Sequence, residues 1–155
     1  MIEIRQAESV EEIESARTLF REYEAWLGLD LCFQGFADEL SGLPGKYSPP
    51  DGRLLIAYIN EEPAGCIAMR KLEDGVVEMK RLYLRESALG HGAGLRLIQT
   101  LIDEARNEGY KKMRLDTFPP LMKKAVSLYR SHGFQRIEPY YFNPNPETLF
   151  LEKEL

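Results

Sequence analysis

Polar and apolar residues alternate over IEIRQA (2–7), the period-two pattern of a strand. Ser9 and Glu12 then form a capping box. Apolar residues recur at Val10, Ile13, Ala16, Phe20, Tyr23 and Leu27, the spacing of an amphipathic helix. The pattern lapses over 28–52, apart from a short helical run at FADEL (36–40), and the turn-rich GLPGKYSPPDG (42–52) reads as a surface loop. Three apolar runs follow at 53–60, 64–72 and 76–84. EEP and EDG turns separate them, which predicts consecutive antiparallel hairpins. Leu95, Ile98, Leu101, Ile102 and Ala105 line one face of a helix over 95–106, with Gly109 as its stop. KKMRLDTF (111–118) reads as a strand, and PPLMKKAVSLYRSH (119–132) as a helix opening on proline and closing at Gly133. FQRIEPYYF (134–142) and TLFLEKEL (148–155) read as final strands. The order β-α-(α)-β-β-β-α-β-α-β-β predicts an α+β chain around a mixed sheet.

At 155 residues the chain fits one domain, 1–155, with a sizeable core. Its 44% hydrophobic and 29% charged residues suit a soluble protein, and no stretch approaches the length of a membrane span. The acidic MIEIRQAESVEE start has no signal-like apolar block, so a cytoplasmic location is expected. A net charge of −5 gives no footprint for nucleic acid and weakly favours a cationic small substrate. The two cysteines, Cys32 and Cys66, and two histidines, His91 and His132, show no metal-ligand spacing, so no metal is expected. Cys66 falls in an apolar strand and reads as a buried thiol, and Cys32 falls in a loop. A disulfide between them stays open, with a reduced chain as the simpler reading.

The chemistry concentrates at ALGHGAG (88–94), where a strand becomes a helix. Glycines there let an anion approach backbone N–H groups, and the helix dipole adds positive charge, which together make a phosphate cradle. A tight turn that uses glycine only for packing would look the same. A P-loop needs Lys then Ser/Thr after its last glycine, whereas Leu95 and Arg96 follow here. A dinucleotide fingerprint needs G-x-G-x-x-G, and this spacing is G-x-G-x-G. Asp116, at the next strand, keeps that reading alive as a weaker rival.

EMKRLYLRESALGHGAGLRLIQTLIDEA, followed by AVSLYRSHGF, resembles the GNAT superfamily of acyl-CoA-dependent N-acetyltransferases. Gly92 and Gly94 match the G-x-G/A of the family's Q/R-x-x-G-x-G/A turn, while Leu89 stands where Q/R is expected. Ala125, Leu128, Tyr129, Gly133 and Phe134 match its second conserved block. The resemblance implies a mixed, mostly antiparallel central sheet of about seven strands flanked by about four helices. It also implies an acetyl-CoA-dependent N-acetyltransferase acting on a primary amine by direct attack in a ternary complex. The alternative is an inactive acyl-CoA-binding sensor or regulatory module. No metal, nucleic acid or membrane partner is implied, and a homodimer is common in such folds.

Carried over by position, the backbone of Leu82, Tyr83 and Leu84 would hold the pantetheine arm. The amides of Leu89, Gly90, His91, Gly92, Ala93 and Gly94 would hold the pyrophosphate. Leu89 can offer only its N–H, and His91 would be either a substitute side chain or a solvated loop histidine. Met122 stands where the family often has a cofactor-contacting Asn, with Ala125 and Tyr129 farther along the same helix. An alkylammonium has no lone pair until a proton is removed, and the leaving thiolate gains from a donor. Tyr129 falls on the family's general-acid tyrosine, and Glu78 on a strand position where several members carry a glutamate working through water. A core-packed tyrosine and a glutamate at the sheet's solvent edge would give the same letters. Strict alternation would put Glu78, Lys80, Leu82 and Leu84 on one face, unless a bulge intervenes. For the acceptor the candidates are Trp26, Phe33, Phe36 and Glu39, with Tyr140 and Tyr141. Glu39 would anchor a cationic group or stay a solvated helix charge, and NPNP (143–146) would shape a loop near the site or a subunit contact.

Overall fold

The computed structural model describes residues 1–28, 31 and 35–155. Seven strands form one sheet in the order β1-β2-β3-β4-β5-β7-β6. They are β1 (Ile2–Gln6), β2 (Arg53–Ile59), β3 (Glu62–Glu73), β4 (Val76–Leu84), β5 (Lys112–Thr117), β6 (Gln135–Arg136) and β7 (Leu149–Glu154). The helices are α1 (Val10–Leu27), α2 (Phe36–Ser41), α3 (Ala93–Asn107) and α4 (Lys123–Ser131). All strand pairs are antiparallel except β4–β5, which is parallel. The mixed, mostly antiparallel α+β architecture expected from the sequence is the one found. None of the described helices is long and apolar enough to cross a membrane.

The sheet has two apolar faces, each closed by a helical layer. Ala16, Leu19, Phe20 and Tyr23 of α1 and Phe36 of α2 pack with Leu54, Ile56, Cys66 and Ala68. Leu97, Ile98, Leu101 and Ile102 of α3 pack on the other face with Ile67, Met69, Val77, Met79 and Met113. The Ser9–Glu12 capping box is formed in both directions, and α1 ends at Gly28 in the left-handed region (φ 68°). Cys66 is fully buried, its thiol donating to the Arg81 carbonyl at 3.3 Å, and Cys32 lies outside the described residues.

Four expectations need correction. Leu95 is 46% exposed; the buried stripe of α3 runs through Ala93, Gly94, Leu97, Ile98, Leu101, Ile102 and Ala105, so the predicted face holds except at Leu95, whose place Leu97 takes. Helix α4 starts at Lys123. Pro119 and Pro120 lack N–H groups and sit in a turn closed by Leu121 and Met122 donating to the Phe118 carbonyl, and Met122 is not helical (φ −123°, ψ 35°). The strand expected over 134–142 shrinks to Gln135–Arg136, because Pro139 cannot donate to a ladder. The fourth concerns β4, where alternation breaks. Cys66 lies opposite Tyr83 while Ala68 lies opposite Lys80, so β4 carries one extra residue. Arg81 takes the strain of that bulge in the left-handed region (φ 63°). Leu82 and Leu84 therefore face the α3 core with Val77 and Met79, on the opposite side of the sheet from Glu78 and Lys80.

Candidate functional site

The bulged strand is also where the sheet opens. β4 and β5 pair over only three positions, from Val76–Lys112 to Glu78–Arg114. Beyond Glu78 the β5-facing edge of β4 has no ladder partner among the described residues. The backbone of Leu82, Tyr83 and Leu84 is thus available to an extended ligand lying between the strands. The Tyr83 side chain is committed elsewhere: its hydroxyl lies 3.3 Å from Glu22, which also holds Arg85 at 2.7 Å, and its ring packs beside half-exposed Trp26.

At the open end of β4 the chain makes a short turn, Glu86–Ala88, and enters α3 through the glycines. Gly90 (φ 81°) and Gly92 (φ 73°) are left-handed, and a Cβ on either would meet nothing within 4 Å. They are glycine for conformation and open approach rather than packing. Gly94 differs: a Cβ there would lie 3.2 Å from Leu84 Cδ1, so it lets α3 close onto β4. Among the described residues no side chain caps α3, which leaves the amides of its first turn open beside the dipole's positive end. Two expected donors drop out. The Leu89 N–H bonds the Glu86 carbonyl at 3.0 Å and the His91 N–H bonds the Ala88 carbonyl at 3.3 Å, because both close the turn itself. Gly90, Gly92, Ala93 and Gly94 remain. The Leu89 side chain is 56% exposed and offers no polar group.

Helix α4 flanks the opening on the α3 side. Ala125, Leu128 and Tyr129 pack into that core, and Met122 turns toward the α1 core, where its sulfur accepts from the Thr117 hydroxyl at 3.1 Å. Tyr129 is 4% exposed with its ring edge-on to Phe134. Burial pushes its phenol well above the ordinary value, with Tyr23 and Asp116 adding to the rise, so it stays protonated.

On the α2 side of the sheet lies a cavity of about 530 Å³, bounded by α2, the loop through Tyr47, β3, β4 and the segment before β7. It brings together four predicted residues: Glu78, Glu39, Tyr140 and Tyr141. Glu78 is 1% exposed, so it is not a charge at the sheet's solvent edge. Its Oε1 accepts from Arg70 Nε at 2.9 Å and its Oε2 from the Tyr140 hydroxyl at 2.6 Å. Lys80 Nζ lies 3.8 Å away. Desolvation pulls the Lys80 ammonium below its ordinary value. Burial and the Glu78 charge push Tyr140 far above its own. Glu39 does anchor a cation, but it is the chain's own Arg81, held by two 2.8 Å hydrogen bonds and covered by Phe36 with its ring centre 4.9 Å away. Tyr141 donates to Asp116 at 2.7 Å and accepts from Asn143 of the NPNP loop at 3.1 Å. Phe33 lies outside the described residues. Tyr129 and Glu78 thus sit on opposite faces of the sheet.

Sequence reasoning missed Arg70 and the Arg81–Glu39 fork. The first was within reach: a hairpin turning at Glu73–Gly75 places Arg70 opposite Glu78, the register observed. The second depends on the bulge, which the letters do not announce.

An opening in a parallel strand pair over a glycine-built helix start suits a ligand with an extended amide arm and a pyrophosphate. Known proteins place the chain accordingly. The acetyltransferase (GNAT) family profile matches residues 8–134. The chain belongs to the GNAT acetyltransferase family. An uncharacterised N-acetyltransferase of Schizosaccharomyces pombe is 38% identical over 147 residues, covering 94% of this chain and 90% of that protein. One from Dictyostelium discoideum is 30% identical, covering 98% and 99%. A GNAT-family acetyltransferase of Staphylococcus aureus superposes with a TM-score of 0.80 at 16% identity, over 99% of each chain. The PaiA N-acetyltransferase of Thermoplasma acidophilum, solved with coenzyme A, superposes with a TM-score of 0.73 at 20% identity, over 100% of this chain and 99% of that one. At such identities these two likenesses concern the fold. Among the described residues no cluster of three His, Cys, Asp or Glu could hold a metal.

Proposed function

We propose that this GNAT protein transfers an acetyl group from acetyl-CoA to a primary amine by direct attack in a ternary complex. The observation that carries the reading is the β4–β5 opening with the Gly90–Gly94 cradle at its end, because each part suits a different portion of one ligand. Acetyl-CoA would supply the activated thioester; the chain supplies position and protons. The α3 amides and dipole hold the pyrophosphate, and the unpaired edge over Leu82–Leu84 holds the arm. The acceptor enters from the cavity on the other face. Its ammonium must lose a proton before the nitrogen attacks the carbonyl. Glu78 uses two of its lone-pair sites on Arg70 and Tyr140 and keeps others for a water that takes this proton. A backbone N–H of open β4 is the donor for the tetrahedral oxyanion. As the C–S bond breaks, Tyr129 gives its proton to the thiolate, and the products are an amide and free CoA.

The test pairs binding with turnover. Melting temperatures are measured with CoA, acetyl-CoA, NAD and ATP, and thiol release from acetyl-CoA is followed across an amine panel. Stabilisation by CoA and acetyl-CoA together with amine-dependent release is expected. Stabilisation without release from any amine would make the chain an acyl-CoA-binding module. Stabilisation by NAD and not CoA would remove the reading altogether.

A further inference from the structure

Between β6 and β7 the chain has no regular structure over 137–148. Pro139, Pro144 and Pro146 cannot donate to a ladder. Its backbone-to-backbone hydrogen bonds, among the described residues, lie near its ends: the Ile137 N–H donates to the Phe150 carbonyl at 2.9 Å and the Thr148 N–H to the Asn145 carbonyl at 3.1 Å. Two neighbouring side chains hold the middle to the sheet. The Tyr140 hydroxyl donates to Glu78 Oε2 at 2.6 Å, and the Tyr141 hydroxyl donates to Asp116 Oδ2 at 2.7 Å. Glu78 is the last residue of β4 that pairs with β5, opposite Arg114, and Asp116 lies two residues farther along β5. Consecutive residues therefore bind one carboxylate on each strand, at the point where the strands part.

The rings are fixed as well. Each stands edge-on to Phe150 of β7 at 5.3 Å between centres, and the two are 5.4 Å from each other. The Arg114 guanidinium lies 5.5 Å from the Tyr140 ring centre. Asn143 donates to the Tyr141 hydroxyl at 3.1 Å and accepts from the Asn145 N–H at 2.8 Å, so the loop beyond is fastened to the same hydroxyl. Burial, and then the charge of the bonded carboxylate, pushes both phenols far above their ordinary value, so each stays a donor. A hydroxyl bonded to a carboxylate makes one of the shorter and stronger hydrogen bonds a protein has.

We propose that Tyr140 and Tyr141 form a clasp across the β4–β5 opening that fixes where Glu78 stands relative to the thioester. This rests on the transferase reading above and adds two positioning residues to it. Neither tyrosine exchanges a proton in the reaction. Tyr140 holds one oxygen of Glu78, which sets the direction of the lone pairs left for the water. Tyr141 acts at one remove: it ties the segment that carries Tyr140 to β5, so the carboxylate cannot drift as the strands move apart. A misplacement of about 1 Å is enough to cost roughly a hundredfold in rate.

Tyr141→Phe is the deciding variant, because the bond it removes does not involve Glu78 and the ring packing stays. Rates are measured with the best amine of the panel, beside a direct titration with CoA. Tyr141→Phe and Asp116→Ala are each expected to lower kcat roughly ten- to a hundredfold, with the amine KM and the CoA dissociation constant within about threefold. Asp116→Asn keeps an oxygen for the phenol and returns part of kcat. Tyr141→Phe combined with Asp116→Ala costs no more than the worse of the two, since both break one bond. A parent-like kcat in Tyr141→Phe overturns the proposal, as do losses that multiply in the double variant or an Asp116→Asn no better than Asp116→Ala. Hydrogen exchange at the Ile137, Asn145 and Thr148 amides reads the clasp without turnover. In Tyr141→Phe it should quicken roughly three- to tenfold, the worth of about one hydrogen bond. Unchanged exchange sinks the clasp and leaves transfer standing. Quickened exchange in a chain that acetylates no amine sinks transfer, and the positioning role with it, and leaves only a structural tie.

Discussion

In the proposed reaction Tyr129 can act only as a proton donor, because burial holds its phenol far above neutral pH and its ring is wedged against Phe134. Tyr129→Phe removes the hydroxyl and keeps the packing. It is expected to lower kcat by roughly ten- to a hundredfold, as for other lost general acids, with the CoA dissociation constant within about twofold. Steady-state rates beside a direct CoA titration check this, and an unchanged kcat removes Tyr129 from the chemistry. Gly65 makes a different demand. It lies opposite Leu84, and a Cβ there would come within 2.7 Å of the Tyr83 carbonyl oxygen, which cannot move without shifting the strand that lines the opening. Gly65→Ala should cost about 1–3 kcal/mol, seen as a melting temperature several degrees lower, and should weaken CoA binding at the same time. Normal stability would show that β4 yields at no cost. The sequence singles out Tyr129 and Glu78 because the family resemblance points to those positions, and the proposed roles rest on it. Gly65 and Arg70 were not singled out, since what makes them matter is the residue across the strand.

At the scale of elements, α1 is held at both ends by carboxylates. Glu12 accepts from the backbone N–H groups of Ser9 and Glu8, and Glu22 accepts from the Arg85 guanidinium of the β4 end. Those hydrogen bonds pull both below the usual carboxylate value of 4.5. A carboxyl whose folded value is depressed contributes stability in full above its unfolded value, and loses it as pH falls through the folded one. Glu22 is partly exposed (35%), so solvent limits the worth of its pair to less than about 1 kcal/mol. Glu22→Gln should melt roughly 1–3 °C below the parent at neutral pH and should coincide with it near pH 3. A gap of equal size at both pH values would mean the pair contributes through packing rather than charge. The capping box, the two hairpins and the stop of α3 were readable, because each rests on neighbours within a few residues. The late start of α4 and the short β6 were not, because they depend on how prolines meet a particular backbone path.

For the whole molecule, the two faces of the sheet carry the two halves of the proposed reaction, and Arg81 is the joint between them. The bulge that turns Leu82 and Leu84 toward α3 drives Arg81 into the opposite core, 4% exposed in a left-handed conformation. Only a charge partner makes that placement tolerable, and α2 brings one in Glu39. The fold class was legible from the order of hydrophobic patterns. This joint was not, because it links residues forty-two apart through a strand irregularity. Glu39→Gln takes away the charge of the partner that accepts two of the guanidinium's hydrogen bonds. Breaking such a pair costs about 3–5 kcal/mol, a fall in melting temperature of roughly 6–15 °C. Since α2 walls the acceptor cavity and the glycine cradle lies beyond the other face, the acceptor KM should rise while CoA affinity changes little. The double variant Glu39→Gln with Arg81→Met separates charge from position: removing both partners should restore much of the stability and leave the acceptor KM raised. A single variant that melts with the parent, or a double variant that melts below the single one, would show that the fork is not what holds α2 against the bulge.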